Sequence, residues 1–154
     1  MNAPENFLEK LEAKTVKIQL NGKAVEAKEN ETILKVARRQ GIDIPTLCYK
    51  DDYREDGNCR ACVVEVKGER VLAPSCCRKV AEGMEINTNN ERATLSQKMV
   101  VEMLLADVPD VGHKWVSDDK NHPHGELSLW AKKLGVEPRI ELRALQRKTI
   151  EQDV

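Results

Sequence analysis

The order of elements predicts an α+β domain: a small mixed sheet with one helix packed on it, followed by a helical extension. Three observations carry that prediction. Short apolar runs with β-branched residues, broken by turn residues, lie at both ends of the first ninety residues. One helical period separates them, and a period of about four takes over from Asn90 onward.

A polar leader at 1–14 precedes the first run and carries a possible helix of its own. In "TVKIQLNGKAVEAKE", Val16, Ile18 and Leu20 alternate, Asn21-Gly22 marks a tight turn, and Ala24 and Val25 resume the pattern, which reads as two strands. "ETILKVARRQ" places Ile33, Leu34, Val36 and Ala37 on one face, with Asn30 as the expected cap and Gly41 as the stop, so a helix is expected at about 31–40. "GIDIPTL" leads the chain to Cys48 as a loop, because Pro45 forbids a helical continuation. The polar segment 49–58 follows, with Gly57 and Asn58 tolerant of unusual backbone angles. "ACVVEVKG" and "ERVLAPS" read as a hairpin around Gly68, and "MEINTN" as a further short strand.

From Asn90, Leu95, Met99 and Met103 recur every fourth residue beside Val100 and Leu104 until Pro109, a helix expected to cover an apolar surface of the sheet domain or of a partner, with Met99 and Met103 as core on the covered face. "DVGHKWVSDDKNHPHG" is a polar loop, and its His113, His122 and His124 are expected to be solvated rather than metal-bound. Gly125 opens a weaker helix with Leu127, Leu129, Trp130 and Leu134. Trp115 and Trp130 suit either a partner interface or packing on their own domain. Between 131 and 150 there are six basic residues against two acidic ones, with little sign of a core. The expected division is therefore a leader at 1–14, a sheet domain at 15–89, and a helical extension with a basic tail at 90–154.

At 154 residues the chain can bury a core without disulfides. A net charge of −1 argues against nucleic acid or a membrane surface as a general partner. No run approaches the roughly 18 apolar residues of a membrane span, and the charged "MNAPENFLEKLEAK" is unlike a signal peptide, so the expected compartment is the cytoplasm. There, thiols stay reduced, and five cysteines packed into 48–77 point to metal.

The gaps are C-x10-C-x2-C-x13-C for Cys48, Cys59, Cys62 and Cys76, or x14 for the last gap if Cys77 is used. Thiolate suits zinc and iron–sulfur clusters alike, and the C-x2-C pair alone does not choose between them. Zinc ribbons supply two short pairs, whereas here the first and last cysteines are isolated. That asymmetry favours a cluster, since plant-type two-iron centres also combine an isolated cysteine, a C-x2-C pair and a distant fourth. A zinc-stabilised interaction module is the rival of another class. No nucleophile or acid–base pair stands out, and an iron–sulfur cluster does electron transfer rather than bond-making.

"CYKDDYREDGNCRACVVEVKGERVLAPSC" resembles the N-terminal [2Fe–2S] domain of the large iron–sulfur subunit of respiratory complex I and its relatives. Through "DGNCRACVVE", "GERVLAPSC" and "ERATLSQKMVVEMLLADVP" it is most similar to the alpha subunit of soluble, NAD-dependent, molybdenum- or tungsten-containing formate dehydrogenases. The resemblance covers residues 15–109 and, more faintly, "HGELSLWAKKLGV". It implies a ferredoxin-like β-grasp (ubiquitin-like) fold and a [2Fe–2S] cluster held by Cys48, Cys59, Cys62 and Cys76, with Cys77 a bystander. It also implies a relay of single electrons between a formate-oxidising subunit and a flavin–NAD subunit. An NAD-reducing hydrogenase or a complex I-like assembly is the alternative host.

The amides of Gly57, Asn58, Arg60 and Ala61 bracket the ligand pair and are the expected donors to its sulfurs. The acidic run Asp51, Asp52, Glu55 and Asp56 reads first as a solvated loop and second as a docking patch. No cysteine follows Cys77, so the His-plus-three-Cys four-iron site of many relatives cannot be built here. The chain is expected to be either a stand-alone electron-transfer subunit, the reading its basic tail favours, or an N-terminal fragment.

Overall fold

A computed structural model describes residues 14–107, 125–137, 139 and 141. The expected leader helix, the loop carrying Trp115 and the three histidines, and most of the basic tail lie outside these residues.

Strand β1 (Thr15–Leu20) buries Val16, Ile18 and Leu20 and exposes the residues between, the period of two that a half-buried strand demands. It turns through Asn21 and Gly22, both at positive φ (50° and 78°), into β2 (Lys23–Lys28), its antiparallel partner. Two positive φ values in succession define the hairpin turn whose twist matches the strands, and only Asn-Gly-like pairs adopt it cheaply. Asn21 is also tied across the domain, donating from Nδ2 to Thr88 Oγ1 at 2.8 Å and accepting from the Thr88 N–H at 2.8 Å.

Helix α1 (Ile33–Arg39) starts two residues later than expected, and its cap is Thr32, not Asn30: Thr32 Oγ1 accepts from the Lys35 N–H at 3.4 Å. Thr32 is extended because it bridges to Lys79, and this pairing holds the chain straight until the helix begins. All four apolar residues named for this helix, Ile33, Leu34, Val36 and Ala37, are buried.

Strands β3 (Val63–Val66) and β4 (Ala73–Pro74) form the expected hairpin, and β5 (Glu85–Asn87) follows. The sheet order is β2-β1-β5-β3-β4, with β1 and β5 parallel at the centre and the other pairs antiparallel. With α1 packed on it, this is the small α+β, β-grasp arrangement that the resemblance implies. One core joins Ile18 and Leu20 of β1, Leu34 and Val36 of α1, Val64 of β3 and Ile86 of β5. Fully burying each such side chain stabilises the fold by roughly 1.5–3 kcal/mol before entropy is counted. Cys62 and Cys76 belong to the same core, so the candidate metal ligands grow directly out of the most rigid part of the molecule.

Helix α2 (Glu91–Ala106) begins at Asn90, whose side chain accepts from the Ala93 N–H at 3.0 Å. Here an expectation fails. The face turned to the protein carries Ala93, Gln97 and Val101, while Leu95, Met99 and Met103 are 57, 49 and 63 % exposed. Polar satisfaction explains the choice: Gln97 Nε2 donates to the carbonyls of Val63 at 2.9 Å and Thr88 at 3.3 Å, and small Ala93 beside it permits close approach. A buried carbonyl left without a donor costs about 1–3 kcal/mol, so the glutamine face goes inward and the methionine stripe outward.

Helix α3 (Glu126–Leu134) runs from Gly125 to the left-handed Gly135 and packs on α2, with Trp130 and Ala131 against Val101. Trp130 thus packs within its own chain, one of the two outcomes expected for it. No helix among the described residues is long and apolar enough to cross a membrane.

Candidate metal centre

Ser75 and Cys62 stand opposite each other where the β3–β4 ladder ends. The ladder pairs Val63 with Pro74, and the Ser75 N–H continues it by donating to the Cys62 carbonyl at 3.1 Å. Cys62 and Cys76 are therefore carried on adjacent strand ends, both buried. The next residues, Pro74 to Arg78, form a single tight turn in which the N–H groups of Cys77 and Arg78 both donate to the Pro74 carbonyl, at 3.1 and 2.9 Å. That turn brings the half-buried Cys77 Sγ to 3.4 Å from Cys76 Sγ.

Cys48 and Cys59 form a second pair on the enlarged loop. Both are partly exposed. Burial raises the Cys48 thiol, but backbone hydrogen bonds from Cys59 and Asn58 outweigh it and bring the group below its ordinary value. The Cys59 thiol lies above its ordinary value, because burial and the neighbouring Cys48 thiol prevail over the backbone hydrogen bonds of Ala61, Cys48 and Leu47. Cys76 is raised further by burial and by the thiols of Cys77 and Cys62. Of the amides expected to serve the sulfurs, those of Asn58 and Ala61 do so. Those of Leu47, Cys48 and Cys59 join them, which the sequence did not reveal because the fold-back of 47–48 onto 58–59 is set by tertiary structure. Arg60 is exposed at a positive φ of 60° and faces solvent.

The loop is held by α1. Arg38 lies over the Tyr49 ring at 4.9 Å, pairs with Asp51 at 3.4 Å and donates to Thr46 Oγ1 at 3.3 Å. Lys35 pairs with Glu55 at 3.6 Å, and Arg54 pairs with Asp56 at 3.4 Å. Three of the four acidic residues in the run are thus matched by cations, and the run reads as a laced loop. Tyr49 donates to Asp51 Oδ1 at 2.9 Å, and burial followed by that carboxylate pushes its hydroxyl up to about 12. No sequence signal singled out Arg38, since a basic residue in a last helical turn is commonplace.

A two-iron cluster takes four thiolates, and the candidate donors here stand on two elements, Cys62, Cys76 and Cys77 at the end of the β3–β4 ladder and Cys48 and Cys59 on the enlarged loop. One buried side-chain oxygen, Ser75 Oγ, has no hydrogen-bond partner, on a residue that opposes Cys62 and precedes Cys76. The residues present fit a two-iron, two-sulfide group.

The chain belongs to the 2Fe-2S iron-sulfur cluster binding domain family, which matches residues 13–91. Its cofactor is a [2Fe–2S] cluster, and the domain is one of electron transfer. Among curated relatives, it is 42 % identical over 97 residues to the NADP-reducing hydrogenase subunit HndD of Solidesulfovibrio fructosivorans, a match covering 60 % of this chain and 17 % of that one. It is 36 % identical over 94 residues to the NADH-ubiquinone oxidoreductase 75 kDa subunit of Reclinomonas americana, covering 61 % of this chain and 14 % of the relative. It is also 34 % identical over 93 residues to the gamma subunit of the NAD-reducing hydrogenase HoxS of Cupriavidus necator, covering 60 and 39 %. The fold of an NAD+-reducing [NiFe]-hydrogenase chain superposes with a TM-score of 0.64 at 25 % identity, over 80 % of this chain and 50 % of that one. The chain thus spans well under half the length of these curated relatives.

Proposed function

We propose that this chain holds its [2Fe–2S] cluster through Cys48, Cys59, Cys62 and Cys76. The observation that supports the assignment is the placement of buried Cys62 and Cys76 on adjacent strand ends, with Cys48 and Cys59 on the partly exposed loop. When bound, the cluster takes up and releases one electron at a time. The chain's own residues anchor it to the core through Cys62 and Cys76, and the amides of Asn58, Cys59 and Ala61 stabilise negative charge on the sulfurs. The pair at Cys48 and Cys59, being partly exposed, is the side at which electrons enter or leave.

The host is a multi-subunit, NAD(P)-linked oxidoreductase in the reducing compartment of the cytoplasm. Among the hosts the resemblance implies, a hydrogenase or complex I-like assembly is favoured over a formate dehydrogenase, because the relatives named above are subunits of hydrogenases and of an NADH oxidoreductase. The partners are then a subunit that oxidises substrate and a flavin–NAD(P) subunit. Within this reading, residues 15–89 are the cluster domain and 90–154 the part that docks.

Iron and acid-labile sulfide analysis, with visible spectra before and after dithionite, tests the cofactor and class. Two irons, two sulfides and a spectrum that bleaches on reduction are expected, and a colourless protein with one zinc would overturn the reading. Purification from the native host identifies the assembly: hydrogenase or NADH-oxidoreductase subunits should accompany the chain, and recovery with a formate-oxidising subunit instead would restore the other host.

A further inference from the structure

Ser75 is wholly buried, and among the described residues its Oγ is the buried side-chain oxygen without a hydrogen-bond partner. Both of its backbone groups are committed: the N–H donates to the Cys62 carbonyl at 3.1 Å, and the carbonyl accepts from the Leu34 N–H at 3.0 Å. The residue is therefore pinned between a proposed ligand and helix α1, with little freedom to carry its hydroxyl elsewhere. Directly opposed residues of an antiparallel pair present their side chains on the same face, with Cβ atoms about 4.5–5.5 Å apart. Ser75 opposes Cys62 in this way, and its chain neighbour is Cys76. An orphaned buried hydroxyl costs about 1–3 kcal/mol, and native folds rarely keep one without a role.

We propose that the Ser75 hydroxyl is a hydrogen-bond donor to a sulfide of the cluster, and that it raises the cluster's reduction potential. The inference rests on the ligand assignment above. Its physical basis is charge: the reduced centre carries one more negative charge than the oxidised one, so a fixed donor stabilises the reduced form more.

The test compares wild-type holoprotein with Ser75→Ala and Ser75→Thr. Three quantities are measured: the midpoint potential, the exchangeable-proton couplings of the reduced cluster by electron–nuclear double resonance in H2O and D2O, and the melting temperature of each cluster-free form. Ser75→Ala should keep the [2Fe–2S] spectrum, shift the midpoint to more negative values and lose one exchangeable coupling. Ser75→Thr should restore both. Without cluster, Ser75→Ala should melt no lower than wild type, since the hydroxyl has no partner there to lose. An unchanged midpoint with unchanged couplings would overturn the proposal, as would a less stable cluster-free Ser75→Ala protein. Should Ser75→Ala not retain the cluster, an equally stable cluster-free form supports the proposal and a destabilised one refutes it. Absence of a two-iron cluster from the wild type would overturn the ligand assignment along with it, whereas the other failures leave that assignment standing.

Discussion

Gly57 sits at φ +64°, and a Cβ built on it would lie 2.8 Å from Cys77 Sγ. A side chain there would be strained by the backbone and crowded by that sulfur, so Cys77 serves as a packing partner of the ligand loop. Gly57→Ala is expected to destabilise the protein by about 1–3 kcal/mol, the range for a residue forced into a sparsely populated backbone region, as read by denaturant unfolding. Pairing it with Cys77→Ala should recover part of that loss, because the clash goes and the backbone strain stays. For the neighbouring thiols, Cys76→Ser should strip or disrupt the cluster while Cys77→Ser leaves its visible spectrum intact; the opposite pattern would move the ligand by one position. The five cysteines were legible in the sequence as a group, with the spare thiol undecided from spacing alone. The unpartnered Ser75 and the clamp made by Arg38 were not, because both depend on which strand end or helix turn faces the loop.

At the level of elements, periodicity located all three described helices and four of the five strands to within about two residues, while the arm expected at 69–75 is a strand only at Ala73–Pro74. Periodicity did not say which face of α2 turns inward. A stripe of Leu95, Met99 and Met103 looks like core in any count of apolar spacing, yet Gln97 wins the interior because two carbonyls need its amide. Replacing Leu95, Met99 and Met103 together with Gln should therefore change the stability of the isolated chain little, within about 0.5 kcal/mol per site, in thermal or denaturant unfolding. Helix α3 touches the rest of the protein through a satellite cluster around Val101 and Trp130, separate from the main core. Trp130→Ala should cost about 3 kcal/mol of docking, in line with large-to-small substitutions. The loss should show as faster amide exchange across 126–134 with the cluster spectrum unchanged, because the small cluster opens by itself.

The whole molecule was legible as a class before any coordinates: strand, strand, helix, loop, hairpin and strand leave few ways to cover one helix. The parallel meeting of β1 and β5 was not legible, since no local pattern records which distant strand lies alongside. It joins the first strand of the domain to the last, with Leu20 beside Ile86 and every cysteine in the stretch between. Synthesis imposes an order on such a sheet. A nascent chain cannot close its central ladder until residue 86 has left the ribosome, by which time all five thiols are already outside and unburied. Long-range closure of this kind is slow, and it leaves an interval in which assembly machinery meets open cysteines instead of a finished cage. Chains truncated after residue 80 are accordingly expected to remain unfolded by circular dichroism and to take up no cluster in reconstitution, although every proposed ligand is present in them.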